Sequence, residues 1–200
     1  PRFVWTGSIP STGFEEFTLG TLNIIPNRYY DFSFIVDSVN NNIDQANFND
    51  TLIANDVISA MSGVYTINSS LAASGTNYTS FSAIAKDLNS RGVCGPVIVN
   101  VDSASGPYND RMILDHIEGT SSTNTIIFNG NGATIQYDAT DTLDMHNIIL
   151  SETKHVTIDR LTIKSLDANL GYGILLTKGA AHCNITNCHI DLSSINSGND

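Results

Sequence analysis

Two stretches near the end of this chain repeat one another, and the distance between them limits the fold more than any other feature. His155 opens HVTIDRLTI and His182 opens HCNITNCHI, 27 residues later. Val156 answers to Cys183, Ile158 to Ile185, Leu161 to Cys188 and Ile163 to Ile190. The preceding runs match as well, IILS from Ile148 and ILLT from Ile174, 26 residues apart. One extra residue in the turn, TKGAAH against SETKH, accounts for the slip from 26 to 27. A fixed period of this size marks stacked supersecondary units, and the alternation inside each copy is that of strands. Successive coils of a parallel β-solenoid satisfy both. Each coil then buries its inward residues against coils about 4.8 Å away, so similar side chains recur in each internal column. Cys183 and Cys188 stand as small apolar fillers in the columns of Val156 and Leu161; a disulfide between them is the alternative. Lys154, Asp159, Gly179 and Asn187 fall at predicted bends.

The chain carries 20 acidic and 9 basic residues, a formal net charge of −11. No basic stripe exists to release counterions from a phosphate backbone, which argues against nucleic acid as a partner. Only 14% of residues are charged, while Asn, Ser and Thr are abundant. That mixture suits short strands, tight turns and a neutral, hydroxyl- and amide-rich surface, as expected of a secreted or cell-surface protein. No apolar run is long enough to span a bilayer, so no membrane insertion is expected. The start at Pro1 and the stop at Asp200, just after a strand, read as an internal piece of a longer exported chain. Three cysteines, Cys94, Cys183 and Cys188, leave at least one thiol unpaired. His182 and Cys183 are adjacent and would point to opposite faces of a strand, which disfavours a zinc site.

Three zones separate along the chain. In residues 1–60, strand signals occur at Phe3, Val4 and Trp5, at Glu16 to Leu19, and in the alternation Tyr30, Phe32, Phe34, Val36, followed by a short strand around Leu52 and Ile53. Antiparallel strands joined by an Asn- and Asp-rich loop predict a partial β-sandwich whose apolar face includes Phe32 and Phe34. Residues 63–101 begin with a strand at GVYTIN. A short helix follows, with Thr79 or Ser80 as its hydroxyl cap, Phe81, Ile84, Ala85 and Leu88 on one face and Gly92 as its stop. A solenoid exposes an apolar core at its end, and this helix is the natural lid for it. The third zone carries strand signals around residues 125–128, 133–137, 148–150, 156–158, 161–163 and 174–176, then at Ile185 and Ile190. Gly130 and Gly132 mark a tight corner rather than a nucleotide loop, since no helix follows them.

The order WTGSIP, FTLG, YYDFSFIVDSVNNNIDQANFNDT resembles the closing half of a CARDB-type, immunoglobulin-like domain of bacterial surface proteins, with Asp37, Asp44, Asn49 and Asp50 at the matching loop positions. The stretch GVYTIN to YTSFSAIAKDLNSRGVCGPVIVNV, followed by TNTIIFNGNG, is similar to the start of right-handed parallel β-helices of the pectate-lyase-like superfamily. Together these imply an all-β chain: a partial immunoglobulin-like sandwich over 1–60, then a β-helix with an N-terminal capping helix over 63–200. The resemblance implies a bacterial exported protein with a structural or adhesive role that contacts polysaccharide or cell-surface glycan. The alternative is a polysaccharide lyase or glycoside hydrolase whose site lies on later coils.

The resemblance implies a basic residue with calcium for a lyase, whereas hydrolysis needs paired carboxylates across a glycosidic bond. Asp138, Asp141, Asp144, Asp159, Asp167 and Asp191 are the carboxylates available, each equally suited to forming turns, and no catalytic residue is assigned among them. His155 and His182 share one column and should stack as repeated corner residues; His146 and His189 lie near other strand ends. For a cation, the oxygen-rich loop of 37–50 is the best place, with Asp37, Asp44 and Asp50 as the calcium ligands, although its spacing is not that of an EF-hand. No other cofactor is expected.

Overall fold

In a computed structural model of the chain, the residues described are 4, 6–7, 13–16, 18–36 and 50–196. They form an all-β structure with a single α-helix. Strands β1 (Tyr29–Ile35) and β2 (Thr51–Ile58) pair antiparallel. The alternation that predicts β1 places Tyr30, Phe32 and Phe34 in one row, with neighbouring rings stacked at 6.3 and 6.2 Å. Phe34 remains 43% exposed. Of the strand predicted around 16–19, the described residues Glu16, Thr18 and Leu19 lie outside any strand. Alternation alone supplies no hydrogen-bonding partner, and among the described residues no strand pairs with them. Phe3, Trp5 and Phe17 lie outside the described residues, as do Asp37, Asp44 and Asn49.

Strand β3 (Met61–Ile67) leads to the two-residue β4 (Asn77–Tyr78), then to α1 (Phe81–Arg91) and β5 (Val93–Val101). The helix begins where a side chain can replace a missing backbone partner. Ser80 Oγ accepts from the Ala83 N–H at 3.2 Å. It stops at Gly92, whose φ of 64° is costly for other residues. Phe81, Ile84, Ala85 and Leu88 are its buried face, as the sequence predicts.

From there the chain visits three sheets in turn. β6 (Tyr108–Asn109), β7 (Met112–Leu114) and β8 (Ile126–Asn129) make the first circuit. β9 (Thr134–Tyr137), β10 (His146–Ser151) and β11 (Val156–Asp159) make the second. β12 (Thr162–Ser165), β13 (Tyr172–Thr177) and β14 (Asn184–Thr186) make the third, and β15 (His189–Asp191) follows. The resulting sheets are ordered β14-β11-β8-β5-β3-β4, β15-β12-β9-β6 and β13-β10-β7. Every pairing within these three sheets is parallel. Ile158 lies beside Ile185, Ile163 beside Ile190 and Ile148 beside Ile174, so the repeat read from the sequence is the pairing register. The slip from 26 to 27 sits at one turn. Glu152 and Lys178 both take a left-handed backbone there, and Gly179, at φ 83°, is the added residue.

Alternation sends one face of each strand inward. Val99, Phe128, Ile158 and Ile185 form one inner column; Met112, Ile148 and Ile174 form another. Phe128, Ile158, Met112 and Ile148 are fully buried, while Cys183 and Cys188 are partly buried against the same core. All three cysteines are free thiols, so the two in the repeat act as core fillers.

Helix α1 covers the open side of β7, and one residue does so by imitating a strand. Asn89 Nδ2 donates to the Ile113 carbonyl at 3.0 Å, and Asn89 Oδ1 accepts from the Asp115 N–H at 3.0 Å. These are the two bonds a parallel neighbour of Leu114 would make. The edge is thus filled from a helix side chain, which blocks pairing with another strand. Arg91, its side chain only 5% exposed, anchors the far end of the helix. It reaches Asp87 Oδ2 (3.2 Å), the Ser59 carbonyl (3.1 Å) and Asn27 Oδ1 (2.6 Å). Tyr65 also donates to Asn27 Oδ1 (2.7 Å), tying the segment before β1 to the helix and β3. Among the described residues no helix is long and apolar enough to cross a membrane.

Candidate functional site

The same register that stacks the core stacks the outward side chains, apolar in the columns Val64, Ile98, Ile127 and Ile113, Ile149, Leu175 and hydrogen-bonding in others. On the six-stranded sheet Thr66, Asn100, Asn129, Asp159 and Thr186 form one outward column. Asn129 Nδ2 donates to Asn100 Oδ1 at 2.9 Å, and Thr186 Oγ1 donates to Asp159 Oδ1 at 2.9 Å. On the four-stranded sheet the column is Asn109, Gln136, Lys164 and Asp191. Gln136 donates to Asn109 at 2.6 Å, and Lys164 Nζ stands 3.6 Å from Asp191 Oδ2. His155 and His182 stack as the repeat predicts, with ring centroids 4.8 Å apart and planes within 6°. Both have a left-handed backbone, φ 57° and 54°, so they are corner residues.

Of the carboxylates singled out in the sequence, Asp141, Asp144, Asp159, Asp167 and Asp191 each accept hydrogen bonds. Asp144 accepts from the Tyr137 hydroxyl at 2.6 Å, from the Asp141 N–H at 3.1 Å and from the Thr140 hydroxyl and N–H. These bonds, the tyrosine's first, hold its pKa at about 2 against an ordinary 3.8. Asp159 is lowered by Asn187 and Thr186 before its neighbour Arg160. Asp167 is lowered by the Asn169 and Leu170 N–H groups, and Asp191 by Ser193 ahead of Lys164. Each of these shifts favours the anion. A glycosidic leaving group needs a carboxylic acid raised toward neutrality, and these four are moved the other way. They accept hydrogen bonds and shape turns. Asp159 is a correction in detail: it ends β11, and Arg160 takes the bend, at φ 52°.

Because Asp144 is more acidic folded than unfolded, its contribution to the order of the loop after β9 is complete above pH 3.8. It is lost as pH falls from there toward about 2. We expect the Asp144 carboxyl carbon to titrate near pH 2 by NMR, with Tyr137 reporting the same midpoint. Titration of both near 3.8 would mean the bond is absent in solution.

Sequence reasoning misses Arg111, which no motif flags. Its Nε donates to the His146 carbonyl at 2.8 Å and its guanidinium lies 4.8 Å over the Tyr137 ring. His146 in turn stacks on Tyr172 with centroids 5.1 Å apart. Burial, then the Arg111 charge, pushes the His146 pKa down.

Of the proposed calcium ligands, Asp37 and Asp44 lie outside the described residues. Asp50 directly precedes β2, and its carbonyl accepts from the Val36 N–H at 2.8 Å. Among the described residues no group of three or more His, Cys, Asp or Glu side chains is placed to hold a metal. No protein-family model matches the chain, nor does any curated protein or solved structure.

Proposed function

We propose that residues 63–200 are the capped beginning of a right-handed parallel β-helix of the pectate-lyase-like kind, following the closing part of a CARDB-type, immunoglobulin-like sandwich in residues 1–60. The parent is an exported bacterial surface protein, and the role of this part is structural and adhesive. Its stacked exterior contacts polysaccharide or cell-surface glycan. The observation that carries this reading is the pair of in-register outward columns rich in Asn, Gln and Thr, with Asp159, Lys164 and Asp191 among them, which repeat at strand spacing along the stack. Such a surface offers paired donors and acceptors in rows, the chemistry a chain of sugar hydroxyls would meet. The right hand follows from the general preference of parallel crossovers. The core-facing side of α1 supports the lid assignment, since it buries Phe81, Ile84 and Leu88 at the start of the stack. A calcium ion held by Asp37, Asp44 and Asp50 belongs to the same proposal.

The test is retention of the protein on immobilised neutral and acidic polysaccharides, with calcium and with a chelator, while following cleavage of the same polymers. Retention without cleavage is the expected result, and a drop in retention with chelator would support the calcium loop. Cleavage would replace this reading with a lyase or hydrolase, and absence of both would leave a spacer.

A further inference from the structure

At the second and third corners between the six-stranded and four-stranded sheets, Arg160 and Asn187 stand at equivalent positions in one backbone conformation, while the first corner is two residues longer and has Gly130 at that position. Each carries a single non-glycine residue in the left-handed region: Asn131 at φ 51°, Arg160 at 52° and Asn187 at 52°. Asparagine visits this region readily because its short side chain bonds locally. Arginine lacks that local bond, yet Glu152 and Lys178 take the same conformation at other turns of the stack, so the bend is a feature of the coil. Asn131 and Asn187 use their amide nitrogens inward. Asn131 Nδ2 donates to the Val101 carbonyl at 3.1 Å, and Asn187 Nδ2 donates to Asp159 Oδ1 at 2.7 Å. No hydrogen bond among the described residues engages their Oδ1 atoms.

Arg160 is held differently. Its Nε donates to Asp159 Oδ2 at 2.8 Å, while Asp159 Oδ1 is taken by Thr186 and Asn187. The carboxylate therefore fixes the guanidinium, and among the described residues nothing engages the two terminal nitrogens of Arg160. With 56% of the side chain exposed, they stand at a groove of about 460 Å³ that Asn131, Gly132, Thr162, Asn187 and His189 also line. Fixed donors thus share the groove with two asparagines whose carboxamide oxygens are unused, with Thr162 and with His189. Sugar hydroxyls, which donate and accept at once, match that set of groups. Arg160 is offset by Asp159, so the groove offers no excess of positive charge, and a chain of net charge −11 repels polyanions.

We propose that this corner groove is a subsite for a neutral saccharide unit, with Arg160 donating to adjacent hydroxyls and the Oδ1 atoms of Asn131 and Asn187 accepting from them. This rests on the glycan-contact reading above and narrows it to one place and one class of sugar. Arg160→Asn is the informative variant. Asparagine takes the same conformation at the equivalent position of the next coil, Asn187, so the substitution relieves strain and leaves folding intact. Titration of the full chain with glucose, mannose, galactose and galacturonate oligosaccharides by calorimetry should show binding of a neutral series. Arg160→Asn should weaken it about tenfold or more, the loss expected of a hydrogen bond from a charged donor. Its thermal midpoint should be unchanged or higher. Equal affinity in the variant, or a preference for galacturonate, would overturn the subsite while leaving the wider reading standing. Failure of every oligosaccharide and polysaccharide to bind would remove both.

Discussion

Replacing Phe81 by alanine should cost about 3–5 kcal/mol of stability, the usual range for emptying a buried phenylalanine site. Phe81 is fully buried and is the first residue of α1. Its ring meets the Tyr108 ring edge-on, with centroids 5.3 Å apart and planes at 89°. Tyr108 in turn holds the start of the four-stranded sheet, its hydroxyl lying 2.9 Å from the Ile67 carbonyl and 2.7 Å from that of Asp102. A cavity at Phe81 therefore loosens the helix and the first strands together. In urea the midpoint should fall with little change in slope. Phe34→Ala, on the exposed row of β1, should cost less than about 1 kcal/mol. A loss at Phe81 no larger than that at Phe34 would mean the helix is not seated on the core.

Gly119→Ala should be nearly as damaging, for a different reason. The backbone at Gly119 is left-handed, φ 82°, and a Cβ there would lie 2.0 Å from the Val93 carbonyl oxygen. That oxygen belongs to the first residue of β5, whose own N–H donates to the Glu118 carbonyl at 2.8 Å. Neither backbone can withdraw without breaking that bond. The left-handed conformation costs about 1–2 kcal/mol with a Cβ present, and forcing two backbones apart adds about 1–3 kcal/mol. Gly132 separates the two effects. Its φ is 80° but nothing lies within 4 Å of its Cβ position, so Gly132→Ala should show only the first. Equal losses at both positions, measured by thermal or urea unfolding, would refute the close approach at Gly119.

The fold was most legible where turns are uniform in length. Between β10 and β13 the partners are 26 residues apart, and between β11 and β14 they are 27. Earlier circuits differ: Ile126 pairs with Val156 and Met112 with Ile148, intervals of 30 and 36 that unequal loops hide from a search for repeats. The helix was legible because Ser80, the 3.6-residue stripe and Gly92 agree. β4 and β6 are two residues each, too short for alternation to be seen. Glu16, Thr18 and Leu19 show the converse, a strand signal with no pairing strand among the described residues. Asn89 reads in sequence as an indifferent helix residue, and its strand-like bonds become visible only when β7 lies beside it. The candidate site is harder still. Its rows of outward amides exist only through register, and Arg160 gains meaning only from Asn131 and Asn187, which line the same groove.

The outward columns, the corner groove and the shared core all require that residues 26 and 27 apart lie side by side and run in the same direction. Cross-strand backbone NOEs in the isotopically labelled protein test this most directly. Parallel pairing predicts contacts between Ile158 and Ile185, between Ile163 and Ile190 and between Ile148 and Ile174, with the same sense of offset in each. Absence of these contacts, or an antiparallel pattern between the two copies of the repeat, would contradict the stack and everything built on its surface.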